Sequence, residues 1–275
     1  MATRLLDAGF PLTVFNRNPA RAELLVTAGA RLASSPKEAA RDANVVVSMV
    51  ADDVASRAMW LGENGALAGV ARGTVLIEAS TLTVDWVKEL ASLAKGRGCE
   101  LLDAPVTGSK VQASAGQLNF FVGGDVGVLE CARPVFAPMA KSVTHLGPTG
   151  SGAMIKLINN FVCGVQVAAI AEALVMIERS GLDRDQALGV LTEGAPGSPL
   201  VKLLSQRMTS ADYTPNFLLK LMTKDLGYAL QEGSKQSLEL KTAAAALERF
   251  QRGIAAGHGD QDMAAVVEPV RKQGR

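Results

Sequence analysis

The sequence predicts an α/β protein: short apolar strands alternate with helices over roughly the first half of its 275 residues, and helices alone follow to the end. Three observations carry that expectation. Residues 44–49 (NVVVSM) and 74–79 (TVLIEA) are apolar runs too continuous for a sheet with one wet face, and such strands belong to a parallel sheet covered by helices on both sides. Residues 147–160 (GPTGSGAMIKLINN) form a glycine-studded loop that runs straight into a long apolar helix. Beyond that helix only amphipathic, helix-length patterns remain.

The elements follow in order. Residues 2–8 read as the end of a helix closed by Gly9, and 11–15 (PLTVF) as a short strand. Asn16-Arg17-Asn18-Pro19 is a turn leading into a helix over 20–28. A short extended run at 30–32 precedes a helix opened by Ser34-Ser35-Pro36, and the strand at 44–49 comes next. Then come a helix near 53–61, the strand at 74–79, a helix at 84–95, and strands at 100–103 and 119–122. The long helix runs from Ser151, its expected N-cap, to about residue 179, with Gly181 as its stop. Four more helices are expected over 184–192, 200–210, 215–232 and 238–256. A domain of this kind normally has a strand ahead of its first helix, so the chain opens in the middle of the pattern.

Composition narrows the function classes. With 48% hydrophobic residues the chain can bury a sizeable core, and a net charge of +1 with no dense basic run offers no footprint for nucleic acid or an anionic membrane. A small molecule is the expected partner. Cys99, Cys131 and Cys163 lie far apart and the chain has two histidines, so neither a metal site nor a disulfide framework is expected. The start, MATRLLDAGF, lacks the apolar core of a signal peptide, and the most apolar helix reads as too often interrupted to span a bilayer. A soluble protein of the reducing cytoplasm is expected.

Candidate site residues cluster at strand ends and at the start of the long helix. Lys156 and Asn160 stand four apart, one above the other on a single helix face. Two readings stand for Lys156. One is a surface lysine with its stem on apolar neighbours and its ammonium in water. The other is a lysine withdrawn from water, where burial makes the ammonium a readier proton donor to a substrate oxygen and Asn160 orients it. Asn16 and Arg17 end the second strand of a nucleotide-binding pattern, where an acidic residue would take the ribose hydroxyl of NAD; an amide and a guanidinium there, with Arg21 one turn on, suit the 2′-phosphate of NADP. The alternative is a solvated surface turn. Val50-Ala51 and Ser80-Thr81 follow two further strand ends, where ligands of open α/β sheets bind. Residues 103–110 (DAPVTGSK) follow another, and Thr107, Gly108 and Ser109 there could hold a carboxylate or simply form a turn. Lys224-Asp225, inside the third of the later helices, reads as a surface charge pair or as a lysine reaching a cofactor.

Three motifs together resemble the β-hydroxyacid dehydrogenases related to 3-hydroxyisobutyrate dehydrogenase, over essentially the whole chain. Residues 103–113 (DAPVTGSKVQA) are similar to that family's substrate-binding segment, 147–160 to its catalytic GxxGxGxxxKxxxN segment, and KDLGYAL, beginning at Lys224, to its cofactor-contacting motif. The resemblance implies an NADP-binding Rossmann-like domain over 1–148, a doubly wound sheet lacking its first strand and GxGxxG loop, and an all-helical domain over 149–275 joined to it by the long helix. It further implies Lys156 as general acid/base with Asn160 as its partner, substrate carboxylate at Thr107, Gly108 and Ser109, and cofactor at Val50, Ala51, Thr81 and Lys224. The GSK after Thr107, the Asn16-Arg17 turn and residues 257–266 (GHGDQDMAAV) are closer to the glyoxylate and succinic semialdehyde reductase branch. Imine-reducing relatives and inactive chromatin scaffold relatives lack this lysine, so carbonyl chemistry is favoured. The expected activity is NADPH-dependent reduction of a small aldehyde acid by a homodimer or homotetramer. The alternatives are oxidation of a 3-hydroxyisobutyrate-type hydroxy acid and a truncated, non-catalytic scaffold.

Overall fold

The computed structural model describes residues 1–274 and resolves two compact units, Met1–Lys156 and Leu157–Arg275. The first unit opens with α1 (Ala2–Asp7), β1 (Thr13–Val14), α2 (Glu23–Thr27), β2 (Arg31–Leu32) and α3 (Pro36–Ala40). It continues with β3 (Val45–Ser48), α4 (Asp53–Trp60), β4 (Val75–Glu78), α5 (Val84–Gly96) and β5 (Glu100–Asp103). Then follow β6 (Val106–Thr107), α6 (Lys110–Ala115), β7 (Leu118–Gly123), α7 (Val126–Phe136) and β8 (Ala140–Gly147). The long helix α8 (Ser151–Ser180) starts in the first unit and continues into the second, which holds α9 (Arg184–Glu193), α10 (Pro199–Thr209), α11 (Leu219–Lys235), α12 (Lys241–Ala255) and α13 (Val267–Arg271).

Side-chain caps explain where several helices begin. Asp52 accepts the Ala55 amide ahead of α4, Thr83 the Trp86 amide ahead of α5, and Asp125 the Val128 amide ahead of α7. Ser35-Pro36 and Ser198-Pro199 pair a capping hydroxyl with a proline whose missing N–H costs nothing in a first turn.

In the first unit, β3, β4 and β5 pair in parallel, with Val47 opposite Ile77 and Ile77 opposite Leu102. The expected parallel sheet holds for these three strands, but the strand expected at 119–122 departs from it: β7 runs antiparallel to both β5 and β6 and parallel to β8. The pair β1–β2 stands as a separate two-stranded sheet, so among the described residues no strand joins it to β3. Leu102, Phe120, Val122, Leu129 and Phe136 are fully buried in the core of this unit. The helical unit has its own core, in which Leu174, Leu204, Met208, Leu226 and Phe250 from α8, α10, α11 and α12 meet.

Several elements were not legible in sequence. The strand β8 is half-buried only at Ala140, Val143 and Gly147 and exposed between them, so no apolar alternation marks it. Pro134 lies inside α7 and hides its helical pattern. Helix α11 begins at Leu219, not at residue 215, because the amides of Asn216 and Phe217 are held by Asp262 Oδ2 at 2.9 and 3.1 Å. By length and composition α8 could cross a membrane, contrary to the expectation that it is too often interrupted; half of its most apolar window is buried.

Two glycines set opposite limits on substitution. A Cβ at Gly152 would stand 2.3 Å from the Phe121 carbonyl oxygen and 2.5 Å from that of Asp103, whereas one at Gly189, in α9, would meet nothing within 4 Å. Gly152→Ala is expected to lower the free energy of unfolding by about 3 kcal/mol. Gly189→Ala should raise it by about 0.5–1 kcal/mol. Denaturant melts of the two variants beside the wild type check both signs.

Candidate active site

The expected motifs come together first at Asp103. This residue ends β5 with 1% of its surface exposed, and its carboxylate accepts the amides of Gly150 and Ala153, each at 2.8 Å. It thereby caps the N-terminus of α8, where unpaired N–H groups and the helix dipole favour an anion. The expected cap was Ser151; the carboxylate that satisfies these amides comes instead from far back in the chain. Close approach is possible because position 123 is also glycine, where a Cβ would lie 2.5 Å from Asp103 Oδ1. The first residue of DAPVTGSK and the loop GPTGSG are thus one structure. Burial pushes the Asp103 carboxyl from 3.8 up to about 6, opposed by hydrogen bonds from the Gly150, Ala153 and Gly152 amides.

Downstream of this cap the helix carries Lys156, 8% exposed, and Asn160, 4% exposed. The reading of Lys156 as a surface lysine is set aside by that burial. Asn160 Nδ2 donates to Asp225 Oδ2 at 2.5 Å, and Asn160 Oδ1 accepts from Asn159 Nδ2 at 2.9 Å. Asp225 is 1% exposed, and its Oδ1 lies 3.0 Å from Lys224 Nζ, which in turn sits 4.9 Å from the ring centroid of Tyr228. Helix α11 can press this closely on α8 because Gly164 leaves room: a Cβ there would meet Leu226 Cδ2 at 2.9 Å. The pair Lys224-Asp225 is therefore no surface charge pair. Sequence reasoning passed over Asp225, although its place in the stripe Leu219, Met222, Leu226, Ala229 was a signal that it faces the core.

The segment 107–109 follows from β6, where Thr107 pairs with Asn119. Gly108 adopts φ +121°, and a Cβ there would crowd Leu118 and Gln112 at 3.0 and 3.1 Å. Ser109 opens α6 in a capping box with Gln112, its hydroxyl donating to Gln112 Oε1 at 2.6 Å. Its amide donates to the same Oε1 at 2.9 Å, so both polar groups of Ser109 are committed locally and serve to shape the turn that follows Thr107.

The expected cofactor residues also lie at carboxyl ends of strands. Asn16 and Arg17 are exposed just past β1, where Asn16 Oδ1 accepts the Asn18 amide at 2.9 Å and makes the turn rigid. Val50 and Ala51 follow β3, Thr81 follows β4, and the Val50 amide donates to Ser80 Oγ at 2.7 Å. These residues fit a nicotinamide dinucleotide. Ser48 Oγ, buried at the end of β3, has no partner among the described residues, and Arg17 and Arg21 stand exposed beyond β1. A vacant hydroxyl at one strand end and guanidinium groups at another suit an extended ligand bearing phosphates. The 275 residues contain no GxGxxG loop for its pyrophosphate. Among the described residues no group of three or more His, Cys, Asp or Glu could hold a metal ion.

This arrangement is that of a nicotinamide-dependent oxidoreductase, and comparison with known proteins makes it specific. Residues 1–147 match the family model for the NAD binding domain of 6-phosphogluconate dehydrogenase, and 150–270 match NAD-binding of NADP-dependent 3-hydroxyisobutyrate dehydrogenase. Glyoxylate/succinic semialdehyde reductase 1 of Arabidopsis thaliana is 34% identical over 98% of this chain and 94% of its own length. An NAD-dependent L-serine dehydrogenase of Pseudomonas aeruginosa is 33% identical over 97% and 92%. The structure of Mycobacterium tuberculosis 3-hydroxyisobutyrate dehydrogenase with L-serine superposes with a TM-score of 0.88 at 32% identity, covering 98% of this chain and 94% of that one. The chain belongs to the NAD(P)-dependent β-hydroxyacid dehydrogenase family, near its glyoxylate/succinic semialdehyde reductase branch.

The Asp103 cap has a pH signature. Its folded-state value is raised above the unfolded one, so its contribution to stability is full below pH 3.8 and is lost as the pH rises through about 6. Asp103→Asn cannot titrate, and its amide end cannot accept one of the two N–H groups. The variant should be less stable than the wild type at pH 4, and the gap should narrow by ~2 kcal/mol by pH 7. Paired denaturant melts across that range measure it.

Proposed function

We propose that the protein reduces a small aldehyde acid, glyoxylate or succinic semialdehyde, with NADPH, and that Lys156 is the general acid. The single observation that carries this reading is a lysine buried on the first turns of α8, one turn from an asparagine that is itself locked to Asp225. A bound nicotinamide cofactor supplies the hydride. Lys156 Nζ gives a proton to the substrate oxygen as that oxygen gains charge, a contribution of roughly 10²–10⁴-fold for a positioned acid. Asn160, its Nδ2 held by Asp225, keeps one fixed orientation, and its Oδ1 has a second lone pair for the ammonium or the product hydroxyl. Thr107 Oγ1 and the Gly108 amide receive the substrate carboxylate, while Ser109, held through both its amide and its hydroxyl by Gln112, fixes the turn that presents them. A methyl on Thr107 narrows that end of the pocket and favours a short acid.

Oxidation of a hydroxy acid is the second reading, favoured by two relatives whose names carry L-serine. The same lysine serves as the base in that direction. Turnover across aldehyde acids and hydroxy acids, with both cofactors, separates the two readings. A non-catalytic scaffold would show no saturable NADPH binding at all.

Two outcomes follow for the purified protein. Lys156→Ala should lower kcat for glyoxylate reduction by roughly 10²–10⁴-fold with the NADPH Kd little changed; a variant as fast as wild type removes Lys156 from the chemistry. Arg17→Ala should weaken NADPH binding by roughly tenfold and leave NADH binding as it was. Titration of both cofactors checks the difference.

A further inference from the structure

The most deeply buried carboxylate near the strand ends has no part in the chemistry above. Glu78 ends β4 with no exposed surface. Its Oε2 accepts Ser56 Oγ and Trp60 Nε1, each at 2.7 Å, and its Oε1 accepts the Ser80 amide at 3.0 Å. The Ser80 hydroxyl also hydrogen-bonds the carboxylate and accepts the Val50 amide at 2.7 Å. Ser56 Oγ in turn accepts Trp86 Nε1 at 2.9 Å. A second carboxylate, Asp53, ties the same two loops one turn further on: it accepts the Thr83 amide at 3.0 Å and the Thr83 hydroxyl at 2.5 Å. A buried carboxylate is costly unless donors surround it, and these donors come from α4 and the loop after β4.

We infer that Glu78 is a positioning residue for cofactor binding: through Ser80 it holds the backbone at Val50 and the loop carrying Thr81 in one fixed relation before the ligand arrives. The inference rests on the reading of Val50, Ala51 and Thr81 as cofactor contacts. The physical reason is preorganisation. Two loops that leave separate strands would otherwise have to be ordered by the ligand, at the expense of its affinity. The carboxylate sits behind the loops, not at the ligand, so it acts on binding and not on the transfer step.

Trp60 and Trp86 are the only two tryptophans in the sequence, and both donate into this network, so intrinsic fluorescence reports on it directly. The test compares wild type, Glu78→Leu, Glu78→Gln and Ser80→Ala. Glu78→Leu removes every acceptor, Glu78→Gln restores some, and Ser80→Ala cuts only the arm to Val50 and keeps the buried carboxylate paired with both its other side-chain donors. NADPH Kd is followed by indole emission, amide exchange is read at Val50, and kcat is taken at saturating NADPH.

Glu78→Leu is expected to raise the NADPH Kd by about tenfold and Ser80→Ala by about threefold. Glu78→Gln should recover part of the loss, Val50 should exchange faster in Glu78→Leu and Ser80→Ala, and kcat at saturation should stay within about twofold. Unchanged Kd in Ser80→Ala, whether or not Glu78→Leu folds, overturns the inference alone. A fall in kcat with Kd unchanged overturns it too, since the residue would then act on the chemistry. If wild type itself binds no NADPH, the functional reading fails and the inference falls with it.

Discussion

The structure depends on a carboxylate buried against the start of a helix. Asp103 takes the amides of Gly150 and Ala153 with almost no access to water, and this one contact joins the end of a sheet strand to the helix that carries Lys156. Two forces oppose each other there, and desolvation is the larger. Amides and the helix dipole favour the charge, while desolvation disfavours it strongly enough to raise the carboxyl to about 6. Glycine at 123 and 152 is the steric condition for the contact, because either Cβ would occupy the space the carboxylate and its carbonyl need. The glycine-studded loop is thus packed closely against the end of β5.

The same device recurs in a different form. Glu78 and Asp53 gather donors from neighbouring loops, Asp225 fixes Asn160, and Asp262 holds the turn before α11 by the amides of Asn216 and Phe217. In each case a carboxylate, fully buried at Glu78, Asp225 and Asp262 and half-buried at Asp53, replaces water as the acceptor for groups that the fold leaves unpaired. The surface ion pairs, such as Arg57 with Glu89 or Arg133 with Glu130, lie in solvent and contribute little by comparison. What orders the loops is buried acceptor chemistry, while apolar packing in each unit supplies most of the cohesion.

Family membership sets the class of chemistry, and the residues narrow it. Lys156 and Asn160 are buried one turn apart on α8, and Arg17 and Arg21 stand exposed past β1. Neither feature selects a particular substrate.

Sequence alone determined the element order over most of the chain, because long apolar periodic runs and Gly or Pro punctuation are local properties. It also determined the three motifs and hence the residues to examine, since each motif is a short spacing of particular residue types. Tertiary structure alone decided that Asp103 caps α8 and that Asp225, and not only Lys224, matters. It also decided that β7 runs antiparallel to β5, and that α11 waits for Leu219. Each of these turns on a partner tens of residues away or on a strand edge left open by its neighbours. A hydrogen-bond acceptor looks the same in sequence whichever donor it will meet, so the pairing is set only when the chain has folded around it.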